Sequence, residues 1–421
     1  MLTAVVGINW GDEGKGRMVD LFSAEHEIVV RYQGGNNAGH TVVNERGKFI
    51  LNLLPSGILR PGTVNVLGPG MVLDLEHLTK EVAHIRAQGV EISPEHLKIS
   101  DRATICMPYH KMMDILEEDR LADKKFGSTR RGIGPVYADK YMKKTLRTGD
   151  LLFPDKLREK LADLVEWKNI TVTGYGHTPI DADEMMAWLR KYGSIIAPYV
   201  TDVSEYLSKA AEEGKNIMFE AQLGALRDIE FGIYPYTSSS TTLASYAPIG
   251  AGIPGIKLDN TIGIMKAYST CVGEGPFTAE MFGDEAEELR KAGGEYGAAT
   301  GRPRRVGPFD VPASRYGVKV QGADYIALTK MDVLSYLDKI PVCVAYDVDG
   351  EITTSFPTGE RLNRAKPVIE YMEGFGDVSA CRTYKSLPEA AKKYIAYIEK
   401  AVGCKVKYVS VGAERDEYIK L

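Results

Sequence analysis

Directly after an apolar opening stretch the chain reads Gly7-Ile8-Asn9-Trp10-Gly11-Asp12-Glu13-Gly14-Lys15-Gly16-Arg17. Glycines at 11, 14 and 16 let main-chain N–H groups turn toward a phosphate, and Lys15 adds positive charge. A helix beginning near Arg17 would contribute its N-terminal dipole. The run is not a Walker A loop, because Asn9 and Gly16 stand where that template needs Gly and Ser or Thr. Asp12 is the unusual member. A carboxylate inside a phosphate cradle repels its ligand unless a metal or a proton transfer involves it.

Four further loops carry chemistry. Arg31-Tyr32-Gln33-Gly34-Gly35-Asn36-Asn37-Ala38-Gly39-His40-Thr41 is free of bulky side chains near its end and offers His40, the side chain best suited to donate a proton near neutral pH. Thr329-Lys330-Met331-Asp332 follows an apolar run, and an Asp there can accept both N1–H and the 2-amino group of guanine, a pair of donors adenine lacks. Gly297-Ala298-Ala299-Thr300-Gly301-Arg302-Pro303-Arg304-Arg305 sets three guanidinium forks in an acidic chain, which suits a carboxylate or phosphate. Tyr236-Thr237-Ser238-Ser239-Ser240-Thr241-Thr242 adds hydroxyls. Each loop alone could be a solvated connection. Together they imply an enzyme that binds a guanine nucleotide and a second anion, and does phosphoryl chemistry with an Asp and a His.

The elements that must position these loops are short apolar runs at residues 3–8, 28–32, 64–67, 217–220, 261–266, 325–330, 342–346 and 406–411. Their β-branched content, brevity and lack of alternation predict strands buried on both faces of a mostly parallel sheet. Helical patterns lie between them. Residues 387–402 place Leu387, Ala390, Ala391, Tyr394, Ile395, Ile398 and Val402 on one face, opened by Pro388 and closed by Gly403. Residues 183–213 read as a long helical stretch broken near Gly193 and Pro198. The fold class expected is α/β, with a large mostly parallel central sheet, flanking helices and inserted subdomains, taken as one domain over 1–421.

Composition excludes several classes. With 52 Lys and Arg against 57 Asp and Glu, the net charge of −5 gives no reason to expect nucleic acid or an anionic membrane as partner. No apolar run approaches the ~18 residues of a membrane span. The 5 Cys are scattered without a CxxC pair, and the first residues lack a basic signal segment, so the expectation is a reduced, cytoplasmic protein.

Trp10-Gly11-Asp12-Glu13-Gly14-Lys15-Gly16 and Gln33-Gly34-Gly35-Asn36-Asn37-Ala38-Gly39-His40-Thr41 resemble the adenylosuccinate synthetase family. The likeness continues in order through Arg131-Gly132-Ile133-Gly134-Pro135, Tyr234-Pro235-Tyr236-Thr237-Ser238-Ser239, Thr300-Gly301-Arg302-Pro303-Arg304-Arg305, Lys330-Met331-Asp332 and Ser410-Val411-Gly412. The resemblance implies a P-loop-like, GTP-dependent ligase that joins IMP and L-aspartate by way of 6-phosphoryl-IMP, with Mg²⁺ as cofactor, acting as a homodimer with shared sites. It implies Asp12 and His40 as catalytic residues, and Asp12 with the Gly39 carbonyl as metal ligands. For GTP it implies Gly11, Asp12, Glu13, Gly14, Lys15, Gly16, Arg17, Gly39, His40, Thr41, Arg304, Lys330, Met331, Asp332, Ser410, Val411 and Gly412. For IMP it implies Asp12, Glu13, Gly14, Lys15, Asn37, Ala38, Gly39, His40, Thr129, Lys143, Leu223, Thr237 and Arg302. For aspartate it implies Ala298, Ala299, Thr300, Gly301, Arg302, Pro303 and Arg304.

Three positions depart from the family pattern. The Glu-Gly-Ala-Gln-Gly run is Glu220-Ala221-Gln222-Leu223-Gly224 here, so Leu223 stands where a Gln would contact IMP. Thr-Gly-Arg-Gly has become Thr129-Arg130-Arg131-Gly132, and Lys143 replaces the Arg that a partner subunit contributes. These changes bear on the monophosphate more than on the reaction type. The rival expectations are an aspartate ligase on another purine monophosphate and a guanine-nucleotide-binding regulatory protein. The second has no need of an acid-binding Arg loop.

Overall fold

The computed structural model describes residues 1–37, 39–44, 47–124, 126–296, 301 and 303–421. A 10-stranded sheet runs through the centre. Its strands in chain order are β1 (Leu2–Gly7), β2 (Ile28–Arg31), β3 (Val64–Leu67), β4 (Leu97–Ser100), β5 (Val200–Thr201), β6 (Ile217–Glu220), β7 (Asn260–Lys266), β8 (Tyr325–Thr329), β9 (Lys405–Ser410) and β10 (Tyr418–Lys420). The order across the sheet is β10-β9-β8-β7-β1-β6-β2-β3-β4-β5. All neighbours are parallel except β9 and β10, which pair antiparallel at one edge. β1 sits between β7 and β6 and is buried from Thr3 onward, as the unalternating apolar run requires.

Most expected strands fall within a residue of their bounds, but residues 342–346 do not join the central sheet. They lie inside Lys339–Val348, which pairs antiparallel with Glu351–Thr353 and Lys366–Glu373 and parallel with Phe309–Asp310 in a separate small sheet. A short apolar run cannot by itself name its sheet. Both sheets share one apolar cluster that includes Ile8, Leu328, Val342, Tyr394 and Val409.

The helix expected at 387–402 spans Glu389–Val402, with Pro388 as its N-cap rather than its first turn and Gly403 closing it at φ 72°. Gly193 does not break the 183–213 stretch. It lies inside the helix Ala182–Ile196, where a Cβ would come within 2.8 Å of Leu151. The break falls at Pro198, in a short 3-10 turn before β5. Between β4 and β5 the chain inserts the helices Pro108–Leu121, Ile133–Tyr141, Pro154–Gly174 and Ala182–Ile196. Among the described residues no helix is long and apolar enough to cross a membrane.

Candidate active site

The Asp12 turn, the His40 loop and the Lys330–Asp332 motif each follow the carboxyl end of a central strand, where open parallel sheets leave a crevice for ligands, whereas the Arg loop comes after the helix Gly283–Gly293. The turn after β1 leads into a helix, α1 (Lys15–Phe22), which starts two residues earlier than Arg17 and has Gly14 at its N-cap with φ 91°. Glu13 organises this turn. Its Oε1 accepts the N–H groups of Asn9 and Gly11 at 3.0 and 2.8 Å, and its Oε2 meets Lys15 Nζ at 2.7 Å. Thr329 Oγ1 donates to the Glu13 carbonyl at 2.7 Å and ties the turn to β8. Glu13 is therefore buried, and what it can offer a ligand is its main chain. Asp12 is held at φ 59° with its carboxylate partly open to solvent.

His40 begins a hairpin strand, His40–Asn44, and packs against the same turn, since a Cβ on Gly16 would lie 2.7 Å from the His40 Cβ. Its Nδ1 is 2.5 Å from Oε1 of Glu220, the last residue of β6. Glu220 also takes the Ser56 N–H at 2.8 Å and the Ser56 hydroxyl at 2.7 Å. Against the pull of Glu220, burial pushes His40 below its ordinary pKa and so favours the neutral ring. Burial opposes charge on Glu220, yet the hydrogen bond from His40 and the nearby charge of Arg31 hold it ionised, below its ordinary value. The neutral ring thus donates from Nδ1 to a carboxylate, leaving Nε2 to face another partner. Arg31 pairs in register with Glu220 and is fully buried, and its three guanidinium nitrogens have no hydrogen-bond partner among the described residues.

On the purine side the one-residue shift of the amide is visible. Gln222 turns inward. Its Nε2 donates to the Gly35 carbonyl at 3.1 Å and to Asn37 Oδ1 at 3.2 Å, and Gln33 Nε2 donates to its carbonyl at 2.7 Å. A Cβ on Gly34, whose φ is 80°, would collide with Gln222 Oε1, so glycine is required there. Leu223 adopts φ 63°, an unfavourable conformation for a branched side chain, and its Cα lies 3.3 Å from where a Gly11 Cβ would be. Arg130 shows the same effect at the second departure, with φ 56° where a glycine would be unstrained.

The far side of the crevice is charged. Arg304 Nε lies 3.0 Å from Asp12 Oδ2, and Arg304 Nη1 lies 2.7 Å from Glu295 Oε2. After β8, Lys330 Nζ reaches Glu295 Oε1 at 3.0 Å and the Gly293 carbonyl at 2.6 Å. Asp332 keeps one carboxylate oxygen, Oδ1, buried and without a partner among the described residues, and burial raises its pKa. Met331 is wholly buried, and its N–H donates to the Ser410 carbonyl at 3.2 Å. Arg17 bonds to the Ser410 hydroxyl and to the Glu414 and Glu417 carbonyls, which brings α1 and the β9 loop with Val411 and Gly412 together.

Other expected residues are less enclosed. Thr129 and Lys143 are exposed, Lys143 at φ 63° just after the helix Ile133–Tyr141, and Thr237 is half-buried. Gly39 and Thr41 are exposed at the start of the hairpin, and Gly301 and Pro303 are exposed in the Arg loop. Ala38, Ala298, Ala299, Thr300 and Arg302 lie outside the described residues.

Among the described residues there is no cluster of three or more His, Cys, Asp or Glu able to hold a metal. Mg²⁺ does not need one. It binds through one or two protein oxygens, with water and phosphate oxygens completing the shell, and the Asp12 carboxylate and Gly39 carbonyl would supply oxygens of the right kind.

Residue types gave no role to Arg31 and Glu220, which sit inside quoted motifs, and did not mark Ser56 and Glu295 at all. A carboxylate ending the apolar run 217–220 was a signal for Glu220. Glu295 follows Gly293 and Gly294 in a polar stretch and carried no signal.

The class this fold and crevice define is an α/β enzyme of nucleotide chemistry. The chain belongs to the adenylosuccinate synthetase family, whose model matches residues 4–419. An adenylosuccinate synthetase of Caldanaerobacter subterraneus is 45% identical over 423 residues, covering 100% of this chain and 99% of that protein. The structure of the fully ligated adenylosuccinate synthetase from Plasmodium falciparum superposes with a TM-score of 0.93 at 34% identity, covering 100% of this chain and 99% of that one. The succinoaminodeoxyadenylate synthetase of cyanophage S-2L, bound to dGMP and dATP, shares the fold with a TM-score of 0.62 at 18% identity, covering 100% and 95% of the two chains.

Proposed function

We propose that this chain, as one unit over 1–421, is a ligase that joins IMP and L-aspartate into adenylosuccinate and converts GTP to GDP and phosphate, a step of AMP biosynthesis. The observation that carries the mechanism is what meets at the turn after β1: Asp12, at φ 59° with its carboxylate partly open to solvent, and the His40–Glu220 dyad, which packs against Gly16 of that turn. Asp12 takes the N1 proton of IMP while O6 attacks the γ-phosphorus, forming the O6–P bond and breaking the bond to GDP. Lys15 and the N–H groups opening α1 meet the growing negative charge. The phosphoryl charge favours a proton on His40, whose Nε2–H then donates to the group in transfer while Glu220 balances the imidazolium. The aspartate amine attacks C6 of 6-phosphoryl-IMP, forming the C6–N bond, and phosphate leaves with the C6–O6 electrons and takes up the proton the amine sheds.

Asp332, with its orphaned buried oxygen, suits the N1–H and 2-amino donors of guanine, and Lys330, Ser410 and Gly412 flank it. Asn37, Thr129, Thr237 and Arg302 are assigned to IMP, and residues 298–304 to aspartate. Asp12 and the Gly39 carbonyl would hold Mg²⁺, which when bound offsets phosphate charge. Lys143 is assigned to the IMP phosphate of the partner's site in a homodimer. A cytoplasmic setting accords with 5 free cysteines. A second reading, another purine monophosphate in place of IMP, is favoured by one observation: Leu223 sits at φ 63° where an amide would contact the base, and the Gln222 amide is turned away.

Asp12→Asn tests the base. It keeps GTP binding and loses most product formation, because an amide cannot accept the N1 proton. Near-normal turnover would remove Asp12 from that role.

A further inference from the structure

Glu295 lies two residues past the end of the helix Gly283–Gly293 and is 0% exposed. Such burial of a carboxylate is tolerated only with partners, and Glu295 has four. Oε1 receives Lys266 Nζ at 2.8 Å, Lys330 Nζ at 3.0 Å and the Tyr268 hydroxyl. Oε2 receives Arg304 Nη1 at 2.7 Å, and the main chain repeats the link, with the Arg304 N–H donating to the Glu295 carbonyl at 2.9 Å. Although burial works against its charge, Lys266, Lys330 and Arg304 hold Glu295 well below the usual carboxylate range.

Two of these partners belong to different ends of the crevice. Lys330 precedes Met331 and Asp332 on the strand-end loop of β8, and Arg304 belongs to the Arg loop, where it also faces Asp12. The other two, Lys266 and Tyr268, come from β7 and the residues just after it, and anchor the carboxylate to the central sheet. Long cationic side chains have many rotamers, and a fixed counter-charge shared between two of them removes that freedom before ligand arrives.

We propose that Glu295 is a positioning residue that sets Arg304 and Lys330 at one fixed spacing, so that the acid-binding loop and the guanine corner are held as a unit. This rests on the assignment of Arg304 to the acidic substrate and Lys330 to the nucleotide base made above. The two oxygens have separate duties, which makes the conservative variants informative. In Glu295→Gln the amide can keep its oxygen toward Lys266, Tyr268 and Lys330, and its NH₂ then faces Arg304, which is released. Glu295→Asp keeps the charge but is one methylene too short to reach all four donors.

Steady-state kinetics with GTP, IMP and L-aspartate, together with thermal unfolding, tests this. Glu295→Gln raises the KM for aspartate about tenfold or more and the KM for GTP less, with a smaller change in kcat. Glu295→Asp raises both KM values by about threefold and keeps the melting temperature closer to that of the unaltered protein, which leaves a test if the Gln variant does not fold. A residue that only supports the fold would lower the melting temperature and the active fraction while leaving both KM values alone, and that result overturns the proposal. So does a loss confined to kcat. Arg304→Ala and Lys330→Ala run alongside: if they leave the aspartate and GTP KM values unchanged, the assignment of those two side chains is at fault and not the linkage through Glu295.

Discussion

The Nδ1 of His40 lies 2.5 Å from Oε1 of Glu220, a carboxylate that β6 delivers to the floor of the crevice and that Ser56 clamps from the other side. One ring nitrogen is thereby committed, and the other is left for the phosphoryl group. Glu220→Gln breaks that commitment, because the amide can present a donor to Nδ1 and reverse the tautomer. Turnover falls by about 10²-fold or more while the KM for GTP changes little. The check is kcat and KM measured separately for this variant beside His40→Asn, which should match it within an order of magnitude.

Asp332→Asn exchanges a buried acceptor for a donor at the guanine corner. Affinity for GTP drops and xanthosine triphosphate, whose 2-oxo group accepts from the new amide, competes. Inhibition of the variant by xanthosine triphosphate measures the exchange, and an unchanged preference for GTP would take Asp332 out of the nucleotide site.

Leu223→Gln asks which purine the pocket is built for. If IMP is the substrate, the change is neutral or lowers its apparent KM, since it restores an amide partner worth about 0.5–1.5 kcal/mol. If another purine monophosphate is native, the same change harms that substrate selectively. Because Leu223 is held at φ 63°, Leu223→Gly serves as the control that relieves the backbone without adding an amide.

Much of this site was readable from residue types. The Asp12 turn, the His40 loop and the Lys330–Asp332 motif each follow a short apolar run, and a mostly parallel sheet gathers the carboxyl ends of such runs on one edge. The buried carboxylates were harder to read. Glu220 and Glu295 act through partners 180 and 35 residues away in His40 and Lys330, and a linear reading has no access to such contacts. The membership of residues 342–346 in a separate sheet was hidden for the same reason, since pairing with Lys366–Glu373 is a tertiary choice.

Asp310 gives a pH signature unrelated to the chemistry. It accepts the Ala313 N–H at 3.0 Å and the Tyr346 hydroxyl at 2.7 Å, and burial raises its pKa from 3.8 to about 6. Between those values the folded chain keeps a proton that the unfolded chain has released. Its contribution to stability is therefore full below the unfolded value and is lost as pH rises through about 6, by up to about 3 kcal/mol. Urea midpoints at pH 4.5 and pH 7 for the unaltered chain and Asp310→Asn should show this, with the variant losing less on going to pH 7.

Lys143 tests assembly. It is exposed beside Tyr141 and Met142, which are 73% and 57% exposed. Mixing Lys143→Ala subunits with Asp12→Asn subunits should regenerate activity, because one site of each heterodimer is free of both lesions. An inactive mixture in which mass analysis finds heterodimers would refute a shared site.

The most direct measurement is product analysis with GTP, L-aspartate and a panel of purine monophosphates, following phosphate and nucleotide together. Adenylosuccinate and phosphate are expected in equal amounts, formed only when GTP, IMP and aspartate are all present. Phosphate released from GTP alone at the same rate, or no adenylosuccinate from IMP under any nucleotide, would contradict that expectation.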